Sequence, residues 1–113
     1  MTEPRLRTSL WVQAQVRLCD IRFIEAVVAR KGDPDAGTVL LRIARGRDDV
    51  RLLRRTATMA GTPAWMVVGG ADSLSDAAAA AYVEREAKRD RDLWVLAIED
   101  AAGRYELDAP LVE

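Results

Sequence analysis

The sequence predicts an α+β fold: a mostly antiparallel sheet of about six strands with two helices packed on one face. Three observations point there. Apolar segments at 23–29, 38–44, 50–59 and 64–68 follow one another across short turns rich in Gly, Pro and Asp, which is the pattern of hairpins. Two other segments, 9–21 and the stretch from Ser75 to about Arg89, have the residue types and spacing of helices. The 113 residues, 50% of them hydrophobic and 31% charged, suffice for one core without metal or disulfide staples. The chain therefore reads as a single domain over 1–113, with residues 1–7 and 109–113 as loose termini.

The elements follow in order. Ser9 can cap a helix from Leu10, on which Leu10, Trp11, Ala14, Leu18 and Ile21 share a face, with Gln13 and Arg17 off it. Leu10, Val12, Ala14, Val16 and Leu18 also alternate as a strand would. Helix is preferred because twelve residues is long for one strand and Gln, Ala, Leu and Arg favour helix. Phe23–Ala29 is the first strand. The loop 30–37 holds Gly32, Asp33, Pro34 and Gly37, all turn formers. Thr38–Ala44 returns as the second strand.

Residues 45–49 turn the chain into a strand from Val50 to Met59, and residues 60–63 turn it into Ala64–Val68. The wholly apolar run AWMVV suits a strand covered on both faces. Gly69-Gly70 ends it, and Ser73 or Ser75 caps the second helix. Its alanine face lets it sit close on a sheet. Leu93–Ile98 is the next strand, Glu99–Gly103 a turn, and Arg104–Leu107 a short last strand before a fraying tail at Pro110.

Charge and composition exclude several classes of function. The 17 basic and 18 acidic residues give a net charge of −1, unlike a strongly basic nucleic-acid domain. Fifteen of the basic residues are Arg, the better residue for phosphate contacts, but with 19 Ala in the chain the bias fits a GC-rich genome better. There is no His and one Cys. A Ser-His-Asp triad, a Cys-His pair, a His-ligated metal and an intrachain disulfide are thereby removed. The lone Cys19 fits a reducing compartment. No apolar run approaches the ~20 residues of a membrane span, and no secretory leader pattern is present, so the expected location is the cytoplasm.

The segments SLWVQA (9–14), RKGDPDAGTVLL (30–41) and RDLWVLAIED (91–100) resemble a family of short bacterial proteins known only as domain of unknown function fourteen ninety-one. The resemblance runs over nearly the whole chain. It implies a cytoplasmic α+β protein and supports a helix at 9–21, although Val16 and Ile21-Arg22 depart from the family's pattern there. It implies no activity, and no site residue is carried over from it.

Each candidate site has a plain structural alternative. Arg30, Lys31, Asp33 and Asp35 crowd one loop and could form a polar binding tip, yet they lack calcium-loop spacing and equally serve a turn. Arg42, Arg45, Arg47, Arg51, Arg54 and Arg55 could line a strip for phosphates, or could charge an edge against aggregation. Trp11, Trp65 and Trp94 suit a core or a shared interface. Gly69-Gly70 lacks a phosphate-loop motif. Glu99 and Asp100 are adjacent in a strand and point apart, so they make a poor acid/base pair. No catalytic residue, metal ligand or cofactor is assigned, and the balance leans away from an enzyme. The expected function is a small cytoplasmic protein-interaction module, with an unknown protein or a second copy as partner. The alternative is a nucleic-acid or phosphate-ligand binder through the hairpin 42–55, with Arg51, Arg54 and Arg55 as its contacts.

Overall fold

The computed structural model describes residues 7–112. Its elements are α1 (Thr8–Ile21), β1 (Glu25–Arg30), β2 (Val39–Gly46), β3 (Asp49–Ala57), β4 (Pro63–Val68), α2 (Asp76–Arg89), β5 (Trp94–Glu99) and β6 (Leu111–Val112). The strands form one sheet in the order β1-β5-β2-β3-β4-β6. The sheet is mixed, which corrects the mostly antiparallel expectation. β5 enters between β1 and β2, antiparallel to the first and parallel to the second, and β6 pairs parallel with β4. The loop 30–37 therefore does not close a hairpin between neighbouring strands. It carries the chain past the slot that β5 fills.

The helices lie on opposite faces of the sheet, not on one. Side chains alternate across a strand, and two separate sets result. Val39, Leu41, Ile43, Leu53, Leu96 and Ile98 pack with Trp11, Val12 and Cys19 of α1. Leu40, Ala44, Val50, Leu52 and Val95 pack with residues of α2, among them Ala79 and Tyr82. This explains why VLLRIA and WVLAI lack alternation: β2 and β5 are covered from both sides. Two helices on one face would have left the other face of the sheet bare, and the observed placement covers both.

Local chemistry sets the helix ends. α1 begins at Thr8, not at Leu10, and no side chain caps it. Thr8 instead donates its hydroxyl to Gly37 O at 3.0 Å, and the Ser9 N–H donates to Pro34 O at 2.9 Å, so the loop 30–37 clamps the helix start. At the other end, Ile24 N–H reaches Cys19 O (2.8 Å) and Phe23 N–H reaches Asp20 O (3.1 Å). That is the Schellman pattern, with Phe23 at the left-handed position, φ 59°, where glycine is usual. α2 is capped as expected: Ser75 Oγ accepts from Ala78 N–H at 3.1 Å, and Asp76 opens and Lys88 and Arg89 close the helix in accord with its dipole. Ser73 instead donates to Asp49.

The chain end differs from expectation. Residues 104–107 form no strand, because Arg104 and Tyr105 give their N–H groups to the Asp100 carboxylate, both at 2.8 Å. Beyond Pro110, in the segment read as a fraying tail, Leu111 and Val112 pair with Trp65 and Met66. The lead-in at 1–6 lies outside the described residues.

Candidate functional site

The loop residues singled out from sequence are placed by the fold for structural work. Asp33 accepts the N–H groups of Asp35 (3.1 Å) and Ala36 (2.8 Å), which closes the turn. Its backbone carbonyl takes the indole N–H of Trp94 at 2.7 Å. Asp35 faces Arg7 at 3.5 Å on the surface. Arg30 extends to Arg91 O at 3.4 Å, and its Nε is buried without a partner. Lys31 alone points toward an open groove. The four do not converge on a ligand position.

The arginine hairpin is likewise divided. Arg42 and Arg54 stand on the face that carries α2, because Arg42 pairs with Leu52 and Arg54 with Leu40. Arg51 and Arg55 stand on the face that carries α1, across from Ile43 and Trp65. Arg51 meets Asp72 at 2.7 Å, Arg54 meets Glu86 at 3.7 Å, and Arg45 meets Asp49 at 3.0 Å. Arg55 lies 5.2 Å over the ring of Trp11. No continuous basic strip results.

A cleft of about 600 Å³ opens at the carboxyl ends of the parallel pair β2 and β5, the usual ligand position in such sheets. Several of its charges are matched within the chain, whereas Glu25 and Arg47 on its lining have no ion-pair partner among the described residues. Arg42 bridges Asp76 and Glu99. Asp100 is buried and satisfied by backbone N–H groups. Arg104 donates to Arg22 O (2.8 Å) and Phe23 O (3.1 Å), tying down the end of α1. The N-terminus of α2 already holds the carboxylate of Asp48, which accepts from Asp76 N–H. An anion entering there would have to displace protein carboxylates. Among the described residues, no group of three or more Cys, Asp or Glu side chains is arranged to hold a metal ion.

The titrating groups behave as core. Burial raises the Cys19 thiol above its ordinary value, the Asp100 carboxylate adds to that, and Arg22 opposes it. Burial also raises the Tyr105 hydroxyl far above its ordinary value, helped by the charges of Cys19 and Asp108, and that hydroxyl donates to Gln15 at 2.9 Å. Both stay protonated and inert at neutral pH. The three tryptophans are core as well: the rings of Trp11 and Trp65 lie 5.6 Å apart, tilted at 44°, and share the carboxylate of Asp108.

What remains open is the outer side of α1. The buried face of the helix is Trp11, Val12, Gln15 and Cys19. Of the face expected to be buried, only Trp11 is. Leu10, Ala14, Leu18 and Ile21 point to solvent, spaced i, i+4, i+8 and i+11. Leu18 is 48% exposed, Ile21 64% and the adjoining Phe23 90%. A groove of about 930 Å³ runs beside this stripe between α1 and β1, with Leu10, Val16, Val28 and Lys31 on its walls. Sequence reasoning found the apolar stripe but gave it the wrong role. It missed Phe23, whose signal is a bulky residue where a helix end asks for glycine. β1 is an edge strand beside the groove, but its register slips between Val28 and Arg30, and such a bulge discourages further strand pairing.

Comparison with known proteins agrees with the fold. The family model described as "Protein of unknown function (DUF1491)" matches residues 6–108. A crystal structure of a DUF1491 family protein from Caulobacter crescentus CB15 is 37% identical, covers 96% of this chain and 100% of that one, and superposes with a TM-score of 0.85. An NMR structure of a DUF1491 family protein from the same organism is 36% identical, covers 98% and 100%, and gives 0.82. A solution structure from A. tumefaciens, 24% identical over 92% of this chain and 90% of that one, shares the fold at 0.71. No curated protein matches the chain.

Proposed function

Since the chain belongs to the family described as "Protein of unknown function (DUF1491)", whose description carries no activity, we infer its role from surface chemistry: a small protein-interaction module that docks through the outer side of α1. One observation carries the reading. α1 has two apolar faces, and the fold buries only one of them. Leu18 and Ile21 are large exposed apolar side chains on its last turns, Phe23 follows them at the rim of the polar cleft, and exposed apolar side chains gathered in this way mark a contact surface. The polar cleft offers less, since its Arg42 is already bridged to Asp76 and Glu99.

The expected location is the cytoplasm. Its support is a lone, buried, unpaired cysteine, together with the finding that no described helix is long and apolar enough to cross a membrane.

Leu18→Glu tests the reading. The side chain is half exposed and off the core, so circular dichroism and melting temperature stay near the parent values. Self-association, followed by sedimentation, and retention of proteins from a bacterial extract are compared with the parent chain. Loss of association in the variant supports the docking face. A parent chain that neither self-associates nor retains any protein the variant does not also retain overturns it.

A further inference from the structure

Resting on that reading, we propose that the occupant of the α1 face is a second copy of this chain, in an antiparallel α1–α1 pairing anchored by Phe23. Phe23 carries two independent signs of an outside contact. It is the most exposed residue of the patch, at 90%, and it holds a left-handed backbone that an L side chain rarely adopts. Glycine would relieve that backbone at no loss of packing within the chain. A large aromatic kept there at the expense of its own fold is accounted for by what it touches beyond the fold.

The surface is complementary to itself. Ala14 lies between Leu10 and Leu18 on the exposed stripe, and its small side chain leaves room there for a larger one from outside. Arg17 and Asp20 flank the stripe, both exposed, and among the described residues neither has an ion-pair partner in its own chain. Place a two-fold axis level with the midpoint between Leu18 and Cys19. Arg17 then stands level with the partner's Asp20, and Asp20 with the partner's Arg17. The same axis brings Phe23 level with the partner's Ala14. Charge matching and the fit of the ring against Ala14 thus demand one register, and an isologous contact repeats each of them twice. The Schellman end of α1, pinned by Arg104, holds Phe23 in a fixed position for this.

Sedimentation of the full chain over a range of concentrations reads the proposal. The parent chain sediments as a dimer that dissociates on dilution. Phe23→Gly weakens the dimer at least tenfold while raising the melting temperature of the dilute monomer by about 3 °C, because the strained backbone is relieved. A merely structural Phe23 would lower that temperature. Arg17→Glu and Asp20→Arg each put like charges together and each give monomers. Mixing the two single variants restores a mixed dimer, since every charged contact across the axis is then between opposites. A parent chain that stays monomeric at millimolar concentration overturns the proposal. So does a failure of the mixed variants to pair. If the parent is monomeric yet retains extract proteins that Leu18→Glu loses, only the dimer falls and the docking face stands.

Discussion

Oδ1 of Asp108 accepts the indole N–H of Trp65 at 2.9 Å, across 43 residues of sequence. Its Oδ2 accepts the indole N–H of Trp11 at 2.7 Å. One carboxylate thus satisfies both donors of a tilted tryptophan pair and pins α1 to β4. Asp108→Ala leaves two largely buried N–H groups without acceptors and is expected to cost about 2–4 kcal/mol. Asp108→Asn keeps one acceptor oxygen and presents an NH₂ to the other indole, so it costs about as much. Urea unfolding followed by tryptophan fluorescence measures both, and a loss below about 1 kcal/mol for the alanine variant contradicts the role.

Stability is expected to fall on the alkaline side. Cys19, Tyr82 and Tyr105 all have raised values in the fold, chiefly because burial disfavours their anions. Unfolding frees each to ionise at its ordinary value, 9.0 for the thiol and 10.0 for the phenols. The stabilisation is full below those values and is lost as pH rises past them toward the folded values. Thermal melts between pH 8 and 11 should show a steep decline above pH 9.0. Tyr105→Phe lowers the starting stability, because Gln15 loses its donor, but flattens the slope. An unchanged slope in that variant would remove Tyr105 from the account.

Gly37 sits where a methyl group would overlap the Asp92 carbonyl oxygen and would come within 2.7 Å of Cδ1 of Trp94. Backbone is on one side and a buried indole on the other, so neither yields cheaply. Gly37→Ala is expected to destabilise by about 2–4 kcal/mol and to loosen the start of α1, whose Thr8 hydroxyl depends on the Gly37 carbonyl. Hydrogen exchange at the first turn of α1 reports the second effect; unchanged protection there would separate the loop from the helix.

The hairpin arginines are expected to act singly. Arg54→Ala removes a 3.7 Å pair with the largely buried Glu86 carboxylate and should cost about 1 kcal/mol. Arg55→Ala removes the guanidinium over Trp11 and should cost about 0.5–1 kcal/mol. Neither should alter retention on a heparin column, whose salt dependence tracks the number of phosphate-like contacts. Earlier elution of both variants, together with Arg51→Ala, would re-establish a basic binding strip.

Turn chemistry and residue preference made both helices, the four strands between them and the strand after α2 legible in the sequence, along with the Ser75 cap. Strand order was not legible. The runs VLLRIA and WVLAI announce burial on both faces, but nothing local tells β5 to slip between β1 and β2, since that choice rests on pairings more than 50 residues apart. The same gap hid the placement of the helices on opposite faces. In α1, both Leu10-Ala14-Leu18-Ile21 and Trp11-Val12-Cys19 are apolar, and periodicity alone cannot say which set meets the sheet. The sheet chose the indole, because Trp65 and Asp108 wait for it. The loop 30–37 was legible as a turn, and Asp33 performs that task rather than binding.

β5 is the seventh element along the chain but the second strand across the sheet. During synthesis, β1 emerges long before the strand that must flank it, and α1 emerges before the Asp108 carboxylate that seats its tryptophan. The hairpins β2-β3-β4 can form at once from neighbouring sequence. β1 must wait for β5, the strand it pairs with, and Trp11 for the Asp108 carboxylate, while the rest of the inner face of α1 can already rest on β2, β3 and β4. Such late, long-range closure slows folding and lengthens the time during which apolar surface is open to aggregation. The arrival of β5 is thus the event that joins β1 to the rest of the sheet.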